Sequence, residues 1–144
     1  MVAIKNNSIT NTKLIQFPVI KSESRGSLTP IYSKFHIPFE INRLYYIYNI
    51  PNGSKRGGHA HKSLQQLLVA ISGSFEVILK DGHNEKSITL NDPCEGLLIP
   101  SMIWRELISF SNGAICLALA SLPFDEKDYI RDYDKYLNII SNKL

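Results

Sequence analysis

Residues 53–73 read GSKRGGHAHKSLQQLLVAISG. Two β-patterned stretches, 58–61 and 67–72, flank a short polar break, and the segment ends on a glycine. The same rhythm runs along most of the chain. Runs of β-branched and aromatic residues at 14–20, 28–32, 43–50, 58–61, 67–72, 74–80, 86–90, 95–99, 104–110 and 114–121 are each bounded by turn residues, which predicts strands. So many short strands do not fit one open sheet, and an all-β barrel or sandwich follows.

Three turns are specific enough to name: Ser72-Gly73-Ser74, Asp81-Gly82 and Ser111-Asn112-Gly113. Each puts a residue tolerant of positive φ between β-patterned runs, so all three are expected to close hairpins. The tail, 125–144, mixes charges with Tyr129, Ile130, Tyr133, Tyr136, Leu137 and Ile140 at spacings of three and four. That pattern predicts a C-terminal helix closing the barrel, with the stretch Tyr129-Ile-Arg131-Asp132-Tyr133 read as structural.

The chain has 144 residues, enough for one domain with its own core, and a single domain over 1–144 is expected. Hydrophobic residues at 44% and charged residues at 20% exclude a disordered or fibrous class. No apolar run reaches the roughly 20 residues that span a bilayer, and the opening MVAIKNNSITNTKL has no signal-peptide core, so a cytoplasmic protein without membrane contact is expected. Cys94 and Cys116 have no metal or redox spacing and read as free, buried thiols. The net charge of +3 comes from scattered residues rather than a basic tract, which argues against nucleic acid and suits a small anionic ligand.

Gly53, His59, His61, Gln66 and Gly73 reproduce the spacing of the first cupin motif. On a strand, i and i+2 share a face, so His59 and His61 project together, into the lumen of a small barrel. In metal-binding cupins a carboxylate and a third histidine complete the ligand set. Here Gln66 stands at the carboxylate position and Arg105, after Trp104, at the late histidine position. A neutral amide is a poor ligand and a guanidinium repels a cation, so no metal is expected. Imidazoles free of metal titrate near 6.5 and suit proton transfer.

SRGSL at 24–28, IPFEINRLYYIYN at 37–49, RGGHAHK at 56–62, LLVAISGSFEVILKDG at 67–82 and DEKDYIRDYDKY at 125–136 together cover most of the chain. With these segments the sequence resembles the dTDP-sugar 3,4-ketoisomerases, cupin enzymes that act on dTDP-4-keto-6-deoxyglucose in the synthesis of 3-amino and 3-acetamido deoxysugars. One departure is Arg105, where the family pattern has a histidine. The resemblance implies an all-β cupin jelly-roll barrel with a short C-terminal helix. It also implies a homodimer, often with exchanged N-terminal strands, a dTDP-linked 4-keto-6-deoxy sugar as substrate, and neither metal nor organic cofactor.

Moving a ketone from C4 to C3 needs a base for the C3 proton and donors for the enediolate. The resemblance gives the proton transfers to the histidine pair, with His61 favoured as the base and His59 as its partner. Arg56 is expected to stabilise the enediolate or hold a phosphate, the alternative being a solvated loop arginine. Arg43 and Tyr45 share one strand face and Tyr46 and Tyr48 the other; Arg43 and Tyr45 are assigned to the pocket, the second pair to the core. Gln66 is expected to bond a sugar hydroxyl or an imidazole, Arg25 to reach the diphosphate across exchanged strands, Trp104 to stack on sugar or base or else to fill the core, and Arg105 to line the substrate site. Two other readings share the barrel: a sugar-nucleotide 3,5-epimerase, disfavoured by the His-Ala-His doublet, and a non-catalytic sugar-binding cupin.

Overall fold

The computed structural model describes residues 3–6, 9 and 11–142. The N-terminal stretch before Leu14, where exchanged strands would lie, therefore falls partly outside the described residues. The strands are β1 (Ala3–Asn6), β2 (Lys13–Gln16), β3 (Ile20–Ser22), β4 (Gly26–Leu28), β5 (Arg43–Ile47), β6 (Arg56–His61), β7 (Gln66–Ser72), β8 (Phe75–Lys80), β9 (Glu85–Leu90), β10 (Glu95–Ile99), β11 (Trp104–Ile108), β12 (Ile115–Ala120) and β13 (Tyr129–Ile130), followed by α1 (Tyr133–Asn142). The expected runs from 43 to 121 form β5 to β12 and 14–20 gives β2, whereas the run 28–32 is strand only at Leu28, and β1, β13 and most of β3 and β4 lie outside the expected runs. One sheet has the order β1-β2-β10-β7-β12-β5 and the other β13-β6-β11-β8-β9, with β3 and β4 forming a separate hairpin. The ladders are antiparallel.

The jelly-roll expectation holds with one correction: the two sheets face each other as a sandwich and do not close into a barrel. Alternation along each strand fills the space between them. Leu68, Ala70, Cys116, Ala118, Leu97 and Ile99 meet Phe75, Val77, Leu79 and Leu107 from the opposite sheet. The intervening residues Leu67, Val69, Leu98 and Leu119 point outward and are covered by Ile37, Phe39 and Phe17. The centre of the six-stranded sheet is thus buried on both faces, which explains the near-continuous apolar run of β7. Cys116 is buried as expected, whereas Cys94 is half-buried; both thiols are free. Among the described residues no helix is long and apolar enough to cross a membrane.

Two of the three expected hairpins are corrected. Asp81-Gly82 does close β8 onto β9, but β7 and β8 lie in different sheets, and so do β11 and β12. A positive-φ residue between strands marks a change of direction and does not say whether the strands go on to pair. The two connections bond to each other instead, Ser111 N to Ser74 O at 2.9 Å and Ser74 N to Ser111 Oγ at 2.9 Å. Gly73 holds φ +66°, and a Cβ there would run into Ser111 Oγ and come within 2.9 Å of Ala114 Cα.

The tail is corrected too. Only Tyr133–Asn142 is helical; Tyr129 and Ile130 form β13 against β6, pairing Tyr129 with His61 and Ile130 with Ala60. Asp132 starts the helix by accepting from Lys135 N at 2.9 Å. Tyr136 is fully buried with Ala60, Trp104 and Ile130 on the outer face of the five-stranded sheet.

Gly73→Ala is expected to keep the fold and lower its stability by about 2 kcal/mol or more, the left-handed backbone alone contributing about 1–2 kcal/mol. Urea unfolding would show this as a lower midpoint at unchanged slope. A wild-type midpoint would mean that the corner accommodates a side chain.

Candidate active site

A cavity of about 550 Å³ opens between the sheets and is lined by Arg43, Tyr45, Arg56, His59, Gln66, Arg105, Tyr129 and Arg131, among others. The register of β6 on β11 builds its floor. Arg105 is the Cα partner of His59, and the ladder slips by a bulge just beyond them. Gly57 permits that approach: its φ is +79°, and a Cβ would lie 2.9 Å from the Arg105 carbonyl oxygen. Alternation on β11 then sends Arg105 inward and Trp104 outward.

Arg105 is 1% exposed. Its Nη1 donates to Gln66 Oε1 at 2.9 Å, while Nη2 and Nε donate to the Ile103 carbonyl at 2.9 and 3.3 Å. All these acceptors are neutral, and among the described residues no carboxylate is hydrogen-bonded to the guanidinium. Burial lowers its pKa to about 10, so it stays charged at neutral pH. Gln66 passes the polarity on, its Nε2 donating to Tyr45 Oη at 2.8 Å. Because the tyrosine oxygen accepts there, its own proton is free for another acceptor. Burial raises the Tyr45 pKa, which keeps that proton in place.

The two histidine rings meet edge to face, with centroids 4.8 Å apart. His59 lines the cavity and is half-buried. Neither of its ring nitrogens makes a hydrogen bond of ordinary geometry among the described residues. His61 lies behind it at 1% exposure, packed under Tyr129 at 4.4 Å, and does not line the cavity. Its Nδ1 is 3.1 Å from Asp128 Oδ2, and its Nε2 is buried without a partner. Burial first, and Arg105 second, hold the pKa of His59 at about 3, with His61 adding to the effect. Burial, Arg105, Arg43 and Arg131 act in the same direction on His61, which also comes to about 3. The Asp128 carboxylate opposes this at His61, but the burial and three guanidiniums outweigh one partly solvated carboxylate. Both rings are neutral at pH 7.

The expected site residues separate into two groups. Arg43, Tyr45, Arg56, His59, Gln66 and Arg105 meet at the cavity. Tyr45 reaches inward, and Arg43 stacks over its ring at 4.7 Å. Tyr46 and Tyr48 are corrected: expected in the core, each is 59% exposed at the cavity rim, because β5 is an edge strand with its outer face uncovered. Trp104 does not reach the cavity; it packs against Tyr133 and Tyr136, and its Nε1 donates to Glu106 at 3.0 Å. Arg25 stands exposed in the turn between β3 and β4, away from the cavity of its own chain. Sequence reasoning missed Asp128, Tyr129 and Arg131. Arg131 stacks on Tyr129 at 4.2 Å and is held by Glu126 through contacts of 2.6 and 3.0 Å. The available signal was the DEKDYIRDYDKY segment, assigned to a helix.

Fold and site define a jelly-roll sandwich with a cationic cavity that holds a histidine beside a buried arginine. The model of the family described as FdtA, WxcM-like, C-terminal, matches residues 10–141. A curated relative from Aneurinibacillus thermoaerophilus, TDP-4-oxo-6-deoxy-alpha-D-glucose-3,4-oxoisomerase, is 44% identical over 129 residues, 90% of this chain and 92% of the relative. The crystal structure of a 3,4-ketoisomerase from Helicobacter canadensis superposes with TM-score 0.88 at 46% identity, covering 91% of this chain and 98% of that one. A histidine-to-asparagine mutant of the 3,4-ketoisomerase QdtA from Thermoanaerobacterium thermosaccharolyticum, in complex with TDP-4-keto-6-deoxyglucose, gives TM-score 0.91 at 43% identity, covering 94% and 98%. The chain belongs to this family of sugar 3,4-ketoisomerases, and it is an isomerase.

The depressed histidines carry a pH signature. Between the ordinary value of 6.5 and about 3 the unfolded chain binds protons that the folded one refuses, so the pair withdraws stability as pH falls through that window. In the free protein the ring-proton NMR shifts of His59 and His61 are expected to stay flat from pH 8 to 5. A midpoint near 6.5 for either would contradict the electrostatics described.

Proposed function

We propose that the protein converts dTDP-4-keto-6-deoxyglucose to the 3-keto isomer in the cytoplasm, by proton transfer through an enediol and without a metal. The observation that carries this is the placement of a neutral, unpartnered His59 on a cavity wall beside a buried Arg105 that has only neutral acceptors. A base poised without a proton and a fixed cation without a counter-charge are what an enolisation needs.

His59 takes the C3 proton, in place of the deeper His61 favoured on sequence grounds. The electron pair of the C3–H bond forms the C3–C4 double bond, and the C4 oxygen becomes the enediolate. The charge on Arg105 stabilises that oxygen, and the Tyr45 hydroxyl, oriented by Gln66, supplies a hydrogen-bond donor. Transfer of a proton from the C3 hydroxyl to the C4 oxygen, followed by protonation at C4, leaves the ketone at C3. Arg43 and Arg56, with Arg131, form a cationic mouth suited to the diphosphate. The donors themselves disfavour a metal: the amide of Gln66 is tied to Arg105 and Tyr45, and Arg105 would repel a cation placed between the histidines.

The protein is further proposed to be a homodimer. Leu44 and Tyr46 stand exposed on one face of the edge strand β5 with Tyr48 just beyond it, and Ile20 and Leu28 on the β3–β4 hairpin. Such apolar area is rarely left to solvent. Pairing would bring Arg25 toward a second copy's diphosphate. Light scattering is expected to give twice the 16.3 kDa chain mass, and an active monomer would reject the proposal.

Incubation with dTDP-4-keto-6-deoxyglucose in deuterium oxide with excess chelator should give a 3-keto product that carries deuterium at C4. His59→Asn should lower the rate by about 10²–10⁴-fold, the usual loss on removing a general base, with TDP still bound. Tight binding without turnover by the wild type, or a variant as fast as wild type, would defeat the assignment.

A further inference from the structure

We infer that Asp128 is a positioning residue, which holds His61 as the Nδ1–H tautomer so that its Nε2 faces the interior beside His59 as a hydrogen-bond acceptor. The inference deepens the isomerase reading and rests on it.

The Asp128 carboxylate is itself tightly placed. Oδ1 accepts from Ser63 N at 2.8 Å and Oδ2 from Leu64 N at 3.2 Å, and the Asp128 carbonyl accepts from Lys62 N at 2.9 Å. These three amides follow His61 directly in sequence, so the turn after β6 grips the carboxylate that in turn meets the His61 ring. The next residues, β13, lie along β6 and put the Tyr129 ring over His61. Strand, turn and strap together leave the His61 imidazole one orientation.

The tautomer follows from donor and acceptor counting. An ionised carboxylate only accepts, so at 3.1 Å from Oδ2 the Nδ1 of a neutral imidazole must carry the proton. Nε2 is then a bare lone pair in a buried space, on a ring that packs between Tyr129 and His59. Asp128 thus sets the protonation pattern of the ring that packs edge to face with His59. A carboxylate that served only to staple the turn could do so through Ser63 and Leu64 without reaching the ring.

The test reads tautomer and rate separately. Nitrogen-15 NMR of the wild-type protein should show His61 protonated at Nδ1 and bare at Nε2. Asp128→Ala should move the proton to Nε2 and lower kcat by about 10²-fold or more, as loss of an orienting carboxylate does in other histidine-based enzymes, while the Kd for TDP is unchanged. The inference is overturned by a wild-type His61 protonated at Nε2, by an Asp128→Ala variant with wild-type kcat, or by loss of TDP affinity in parallel with turnover. Should the variant fail to fold, the wild-type tautomer decides alone. A wild type that does not isomerise the keto-sugar while carrying Nδ1–H would instead defeat the isomerase reading, so the two failures are distinct.

Discussion

The arrangement depends on one buried cation. Arg105 sits at the floor of the cavity with neutral acceptors for its hydrogen bonds, and an unpaired charge in such a place carries a desolvation penalty of several kcal/mol. That penalty is tolerable where a negative charge is due to appear. Together with burial, the larger cause, the same charge keeps both imidazoles neutral, and it turns the Gln66 amide so that Tyr45 is left as a donor. One guanidinium therefore adds to burial in keeping the rings neutral and, through Gln66, orients the tyrosine.

Getting Arg105 to that position is a matter of strand parity. A slip of one residue on β11 would exchange Trp104 for Arg105 and put an indole into the cavity and a charge beneath α1. The pairing of Arg105 with His59, the glycine approach at Gly57 and the Trp104–Tyr136 contact on the outer face all bind the same register. Packing of the C-terminal helix thereby contributes to the site without touching it.

Much of this was legible in the sequence. The period-two spacing of His59 and His61 on a β-patterned run put them on one face, and Gln66 and Arg105, read at two positions of the cupin ligand set, do meet at the cavity. Depth was not legible. His61 and His59 share a face, yet His61 is closed off by β13, and nothing in a strand's periodicity tells how far along it a neighbouring segment extends. The tail misled for a related reason. Tyr129, Ile130 and Tyr133 satisfy helical spacing, but Ile130 in the core with Tyr129 at the cavity satisfies strand alternation as well. Asp132 is the residue that separates the two regimes, since it caps the helix and so marks where the helix begins. Read as a cap, it would have freed Asp128 and Tyr129 for the site. Gly73 and Gly113 mark bends, and which strands then pair is decided by the sheets and not by the bend.

A guanidinium and a metal ion can both stabilise an enediolate, and the choice between them determines what the histidines can do. A metal would claim an imidazole nitrogen from each ring and require it deprotonated permanently, which leaves the pair unable to accept a proton there. Arg105 makes no such claim. It supplies charge from the β11 side, commits only an amide and a carbonyl as its acceptors, and leaves three imidazole nitrogens in the cavity region unengaged. The consequence for the free protein is a site that is electrostatically incomplete: a buried cation, two neutral rings and a tyrosine proton without an acceptor. An anionic ligand with a carbonyl oxygen would meet the cation and the tyrosine proton together, so on the proposed mechanism the features that cost stability in the free protein are the ones that favour the substrate as its charge develops.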